Sequence, residues 1–412
     1  MSPAAVTGIQ GSAGTAKTTT VLATYAEAAR EQGLTVRAFA PTASAADVLA
    51  RAIQAEPVTV ARLLAAPPAM ADEAREVWVV DEASMLSARD AERLLALADN
   101  AKARLVLVGD VAQLGSVEAG RAFGQLQDAG MPTLVLDEIV RQSNAQTRVA
   151  VEAMLAGDAQ KAFAALDAGG GAIIEHHEDD VRITRIAQDF AALSREERAA
   201  TLVLDPTRDG RRQLTEAIRA ALVADGTLGE ARITAPVLEP LGLTRIEAAR
   251  AASYQAGQIV CFRKGSREER LSKGVAYRVE GHDAEAGTVR LIGPSGKVHS
   301  WSPTRWGADQ AEAYVATDAE FRPGDRLQFT RNNYAARRLN GATATVTAVD
   351  PERGTIAFTA DNGAGGQREG QLDLRRLADR HIRQGWVQTI HSAQGATAER
   401  VMGKREIRRT CS

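Results

Sequence analysis

Cysteine is nearly absent from this chain: 412 residues contain two, Cys261 and Cys411. They lie far apart and give neither a metal-ligand spacing nor a disulfide framework, so both read as free thiols of a reducing cytoplasm. Positive charge is not in excess either. The 50 Lys and Arg are set against 52 Asp and Glu, for a net charge of −2. Nucleic-acid binding through bulk charge is thereby excluded, and only a local basic groove could support it. No apolar run approaches the length of a membrane span, and the start, MSPAAVTGIQ, has no basic residue ahead of its apolar ones. The expectation is a cytoplasmic protein with no membrane segment. What remains is ordinary: 45% hydrophobic and 25% charged residues, in a chain long enough for two or three domains with buried cores.

One stretch stands out. Gly11, Ser12, Ala13, Gly14, Thr15, Ala16, Lys17, Thr18 and Thr19 follow a short apolar run and open a helical pattern. Small residues there let backbone N–H groups turn inward around phosphates, Lys17 adds a point charge, and Thr18 offers a hydroxyl to Mg²⁺. The pattern G-x-x-x-x-G-K-[ST] is broken only at Ala16, which stands where its last glycine would be. The reading is an ATP-binding phosphate loop.

From Val6 to about Asp205, short apolar runs alternate with amphipathic segments. Leu34 to Ala40, Glu76 to Val80, Arg104 to Val108 and Thr133 to Leu136 read as buried strands separated by helices. Such alternation predicts a parallel sheet covered on both faces, with ligands beyond the carboxyl ends of its strands. The informative polar residues fall there. Asp81 and Glu82 end an apolar strand, placed for Mg²⁺ and for a general base respectively; the plainer alternative is a solvated acidic pair. Gln113 follows the next strand, where an amide can sense a γ-phosphate. Arg141 follows Leu136, and its guanidinium suits a transferring phosphoryl group.

Taken in order, Gly11 to Thr19, Ala40-Pro41-Thr42-Ala43, Thr59 to Leu64, Asp81-Glu82-Ala83-Ser84-Met85, Gly109-Asp110-x-x-Gln113-Leu114 and Glu138-Ile-Val-Arg141-Gln142 resemble RecD-like superfamily 1 DNA helicases. Thr201 to Arg208 and Thr389 to Thr397 match later motifs, and the nearest likeness is to the helicase region of TraI/TrwC-type conjugative relaxases, over residues 6 to 402. The resemblance implies two RecA-like lobes, of the α/β parallel-sheet kind, that hold ATP and Mg²⁺ and walk 5′ to 3′ on single-stranded DNA. It also implies that Thr42, Thr59, Arg62, Pro206, Thr207, His391 and Ser392 lie along the strand, that Gln394 lies near the nucleotide, and that other conjugation or relaxosome proteins are partners. Relative to the family the chain is expected to be cut short at both ends, and the strand-nicking site of relaxases is not expected in it. A non-catalytic remnant that binds ATP or single-stranded DNA weakly is the alternative.

The second half carries an internal repeat. Tyr254, Gly257, Phe262, Gly274, Val279, Asp283, Gly287 and Val289 recur, 67 positions on, as Phe321, Gly324, Phe329, Gly341, Val346, Asp350, Gly354 and Ile356. Each copy reads as strand, basic loop, strand, Gly turn and strand, and the expectation is two small β-barrels inserted in the second lobe. Residues 1–198 are then the first lobe, 199–252 the start of the second, 253–318 and 319–378 the inserts, and 379–412 the remainder. The run Glu175 to Asp180 reads as a solvated turn before a helix from Val181 to Leu193, not as a metal site. Trp301 and Trp306 are read either as base-stacking residues or as packing between barrel and lobe.

Overall fold

The computed structural model describes residues 4–11, 21–67, 75–111, 120–136, 144–333, 335–361, 366–390, 392–393, 396 and 398–404. They form two compact units, 1–176 and 177–412.

The first unit contains β1 (Val6–Gly11), α1 (Leu22–Glu31), β2 (Thr35–Ala40), α2 (Ala43–Ala52), β3 (Pro57–Thr59), α3 (Val60–Ala65), β4 (Glu76–Val80), α4 (Ala88–Asn100), β5 (Arg104–Gly109), α5 (Ala122–Asp128), β6 (Thr133–Leu136), α6 (Ala145–Leu155) and α7 (Ala159–Ala168). Six strands make one sheet in the order β3-β2-β4-β5-β1-β6, and every pairing in it is parallel. Side chains alternate across a strand. Trp78, Val80, Leu105 and Leu107 therefore enter one core with Phe39 and Phe123, while Val77, Val79, Val106 and Val108 enter the other with Leu22 and Leu49. A sheet buried on both faces needs unbroken apolar strands, which is why β4 and β5 are legible in the sequence.

The second unit continues with α8 (Asp179–Ala191), α9 (Arg195–Ala200), β7 (Thr201–Asp205), α10 (Arg208–Ala224), β8 (Ile233–Pro240), α11 (Arg245–Ala248), β9 (Ile259–Phe262), β10 (Ala276–Asp283), β11 (Thr288–Ile292), β12 (Val298–Trp301), β13 (Ala311–Phe321), β14 (Arg326–Phe329), β15 (Thr343–Asp350), β16 (Thr355–Asp361), β17 (Gln367–Asp373), β18 (Ile382–Gln384), β19 (Val387–Thr389) and β20 (Arg400–Gly403). A small parallel sheet, β19-β7-β20, carries α10 and α8. Leu214, Ile218 and Leu222 of α10 meet Ile183, Ala187 and Phe190 of α8 around Val203 and Trp386. This packing draws α8 into the second unit, so the unit boundary lies before residue 177 and not at the expected 198.

The repeat is structural as well as sequential. Antiparallel sheets of order β12-β11-β10-β9-β13-β8 and β17-β16-β15-β14-β18 hold the two copies. Strands β9, β10 and β11 start 67 residues before β14, β15 and β16. The ladder β10–β11 shifts register between Val279 and Gly281, and β15–β16 shifts between Val346 and Ala348, again 67 apart. Even the left-handed Arg270 (φ 55°) has its counterpart in Arg337 (φ 51°). Trp301 is fully buried among Tyr254 and Phe262, and its indole N–H donates to the Trp306 carbonyl at 2.7 Å. It is a core residue of the first copy, in a cluster that also takes in Ala251, so the base-stacking role expected of it does not apply. Trp306 is partly buried against the same core, tilted over Phe262 with ring centroids 5.5 Å apart.

Candidate functional site

Because the first sheet is parallel, its carboxyl ends share one edge. In sheet order that edge presents Thr59 ending β3, Thr42 just past β2, Asp81 and Glu82 after β4, Asp110 after β5, and Gly11 ending β1. With strands about 4.8 Å apart, this row spans roughly 19 Å. The residues expected to face DNA stand at one end of it, and those expected to face nucleotide at the other.

The nucleotide end is tightly built. Gln10 donates through Nε2 to Asp110 Oδ1 at 3.2 Å and accepts from the Val111 N–H at 3.3 Å, joining the tips of β1 and β5. Asp81 is 7% exposed; its N–H donates to the Phe39 carbonyl and its Oδ1 accepts from the Glu82 N–H at 2.8 Å. Glu82 sits in the left-handed region, φ 53° and ψ 37°, at the start of a 3₁₀ turn over Ala83–Met85. A non-glycine residue held there is uncommon and strained. Gly109 has no room for a side chain: a Cβ would lie 3.0 Å from Ser84 N and 3.1 Å from the Phe123 ring. The acidic turn and the tip of β5 are thus locked together. A hard, buried carboxylate such as Asp81, its orientation fixed by a backbone N–H, fits Mg²⁺ as a ligand. Ser12 to Thr19, Gln113, Arg141, His391 and Gln394 lie outside the described residues.

The expected strand-binding residues share one local device. Thr42, Thr59 and Thr207 each cap a helix, accepting from the N–H of Ala45 (3.2 Å), Arg62 (3.2 Å) and Gly210 (2.9 Å). Each cap satisfies one unpaired donor in the first turn and leaves further N–H groups at the positive end of a helix. Arg62 is exposed in the first turn of α3, and Pro206 is exposed beside Thr207. Ser392 closes a comparable turn after β19, its N–H donating to Thr389 Oγ1 at 3.3 Å. In the second unit, then, Pro206, Thr207 and Ser392 follow adjacent strand ends, those of β7 and β19.

Two parts of this edge were not foreseen. Lys404 follows β20 and its side chain is 6% exposed; its Nζ lies 2.8 Å from Asp179 and 3.8 Å from Asp205, a carboxylate that is 1% exposed. Asp205 in turn accepts from the N–H and hydroxyl of Thr207. Asp179, the first residue of α8, is pulled below the usual carboxylate range by its bond to Lys404, so this carboxylate of the acidic run serves an ion pair. The second part is basic. Arg211, its side chain 7% exposed, pairs with Glu239 at 3.2 Å. Arg208 donates to the Leu241 carbonyl at 2.9 Å. Burial, and then the charge of Arg211, push Arg383 down to about 10. These arginines supply local positive charge that net composition hides. Only Arg208 and Arg211 are near in sequence, so the cluster has no linear signature.

Residues 1–178 match the AAA domain family. The chain is 24% identical over 364 residues to the multifunctional conjugation protein TraI of Escherichia coli, covering 79% of this chain and 20% of that protein. It is 34% identical over 213 residues to the RecBCD enzyme subunit RecD of Mycolicibacterium smegmatis, covering 44% and 38%. A solved Pif1 helicase from Candida albicans is similar at a TM-score of 0.40 and 15% identity, covering 97% of this chain and 84% of that one. The chain spans about a fifth of the length of the TraI proteins it matches. No described helix is long and apolar enough to cross a membrane. By its motifs and these relatives, the chain is a homologue of RecD-like superfamily 1 helicases, related to TraI.

Proposed function

We propose that the chain is an ATP-dependent DNA helicase or translocase that moves 5′ to 3′ on single-stranded DNA during conjugative transfer. The observation that carries this reading is the single edge on which Asp81, Glu82 and Gly11 stand in line with Thr42 and Thr59. One rigid sheet there couples a phosphate site to a strand site. Gly11 to Thr19 cradle the phosphates, with Lys17 supplying charge. Thr18 and Asp81 hold Mg²⁺, which when bound neutralises phosphate charge and orients the oxygens. Glu82 takes the proton of the attacking water, and its left-handed turn fixes where that carboxylate points. Gln113, Arg141 and Gln394 sense or stabilise the transferring phosphoryl group. Thr42, Thr59, Arg62, Pro206, Thr207, His391 and Ser392 follow the sugar-phosphate backbone, which hydroxyls and N–H groups track without reading bases. The conjugative setting, and any relaxosome partner, follows from the likeness to the conjugation protein TraI alone.

ATP hydrolysis with and without single-stranded DNA, with Lys17→Ala as the control, tests this. The expected result is DNA-stimulated turnover that falls at least about a hundredfold in the variant. A flat rate, equal to that of the variant in a folded protein, would leave a nucleotide- or strand-binding remnant in its place.

A further inference from the structure

In the first repeat the basic loop from Arg263 to Lys273 forms a short hairpin. Ser266 and Leu271 exchange backbone hydrogen bonds of 2.8 and 2.9 Å, Leu271 is 3% exposed in the core of the copy, and Arg270 turns the tip in the left-handed region, φ 55°. Both carboxylates of the loop are engaged: Arg305 reaches Glu268 at 2.6 Å and Glu269 at 3.5 Å. Arg263 pairs with Glu312 at 2.9 Å. Lys264, Arg267, Arg270 and Lys273 remain. All four are exposed, and none has a carboxylate partner or donates a side-chain hydrogen bond among the described residues. Like charges crowded on one hairpin repel each other and add nothing to its stability. The hairpin stands on its backbone bonds and on Leu271.

The second repeat shows that the fold does not require these cations. The same isolated bridge forms there, Asn333–Arg338 in place of Ser266–Leu271. At the matching positions, 67 residues on, Lys264 is replaced by Arg331 and Lys273 by Asn340. Arg331 pairs with Glu312 at 2.8 Å and Arg338 with Asp379, so that of this copy's cations between 331 and 340 only Arg337 has no carboxylate partner among the described residues. One copy spends its cations inside the fold, and the other leaves them in solvent. A surplus of that kind fits a polyanion. Proteins that hold single strands add aromatic rings on which bases stack, and no Phe, Tyr or Trp between residues 253 and 318 is exposed. A duplex, its bases paired and stacked inside, offers a cationic hairpin its phosphates alone.

We propose that Lys264, Arg267, Arg270 and Lys273 bind the sugar-phosphate backbone of duplex DNA, the duplex that continues from the strand held at the sheet edge. The proposal rests on the strand-binding function proposed above for where that duplex begins. Its test uses the full chain and two fluorescent ligands, a single strand and the same strand with its 3′ half paired, with affinity read by anisotropy. Contact with two duplex phosphates gives the half-paired strand an advantage of about tenfold at about 50 mM salt. That advantage is nearly gone at about 200 mM, because each contact steepens the salt dependence by about 0.9 in log units. It is lost when Lys264→Gln, Arg267→Gln, Arg270→Gln and Lys273→Gln are combined, and kept in Arg337→Gln, the matching position of the second repeat. Affinity for the single strand is unchanged in both variants. An advantage that survives the combined variant overturns the proposal, as does its absence from the native chain. So does an equal loss on both ligands, which would put the cations on the single strand. Should the single strand not bind at all, it is the strand reading that fails. A blunt duplex then decides the hairpin on its own: binding that the combined variant abolishes supports it, and any other result overturns it.

Discussion

At the scale of single residues, burial decides more than charge does. Burial, reinforced by the neighbouring Arg331 and opposed by Glu312, lowers His381 from the ordinary 6.5 to about 4. The folded chain therefore keeps this ring neutral while the unfolded chain protonates it near pH 6.5. Stability from this residue is whole above that pH and is lost as pH falls towards 4. The full loss is about 3 kcal/mol. Urea unfolding at about pH 7 and about pH 4.5 should show a steeper drop for the native chain than for His381→Phe. Parallel drops would mean that the ring is solvated. Nothing in the sequence announced this histidine, because its surroundings come from segments as distant as Glu312 and Arg331. Asp81 and Glu82 were legible for the opposite reason: they follow an apolar strand directly, so chain order alone puts them at a sheet edge.

At the scale of elements, the repeat supplies paired experiments. Gly274 and Gly341 have φ of 71° and 88°, and a Cβ on either would meet nothing within 4 Å. Gly274→Ala and Gly341→Ala should therefore each cost about 1 kcal/mol, from backbone strain alone, and agree with one another. Gly370 differs. It lies in β17 opposite Phe358, and a Cβ there would run into the Phe358 ring, so Gly370→Ala should cost more than about 2 kcal/mol. Unfolding midpoints of the three variants check the ranking. A Gly370→Ala chain as stable as the other two would show that the ring moves aside freely. The strands of these modules were legible through their Gly and Asp turns. The eleven-residue β13 and its long pairing with β8 were not. Strands from outside the repeat complete each sheet, and pairing between distant segments leaves no local pattern. Lys404 stayed hidden for the same cause, its partner Asp179 lying 225 residues away.

At the scale of the whole molecule, the two compact units meet in sequence at His176 and His177. The preceding Gly169, Gly170 and Gly171 leave α7, and residues 171–176 have no regular structure. A Glu-specific protease should cut first at Glu175 or Glu178 and release two resistant fragments, identified by mass. Early cleavage deep inside either unit would contradict the division. The second unit also has an order of assembly written into it. Strand β7 ends at Asp205, yet both of its partners come from residues 387–403. During synthesis the first unit can close as soon as its own strands have emerged. The second must hold β7 with both edges open until nearly two hundred further residues have been made. A ribosome that stalls within the repeats would therefore display a folded first unit tethered to an adhesive strand, the form of this protein with most need of a chaperone.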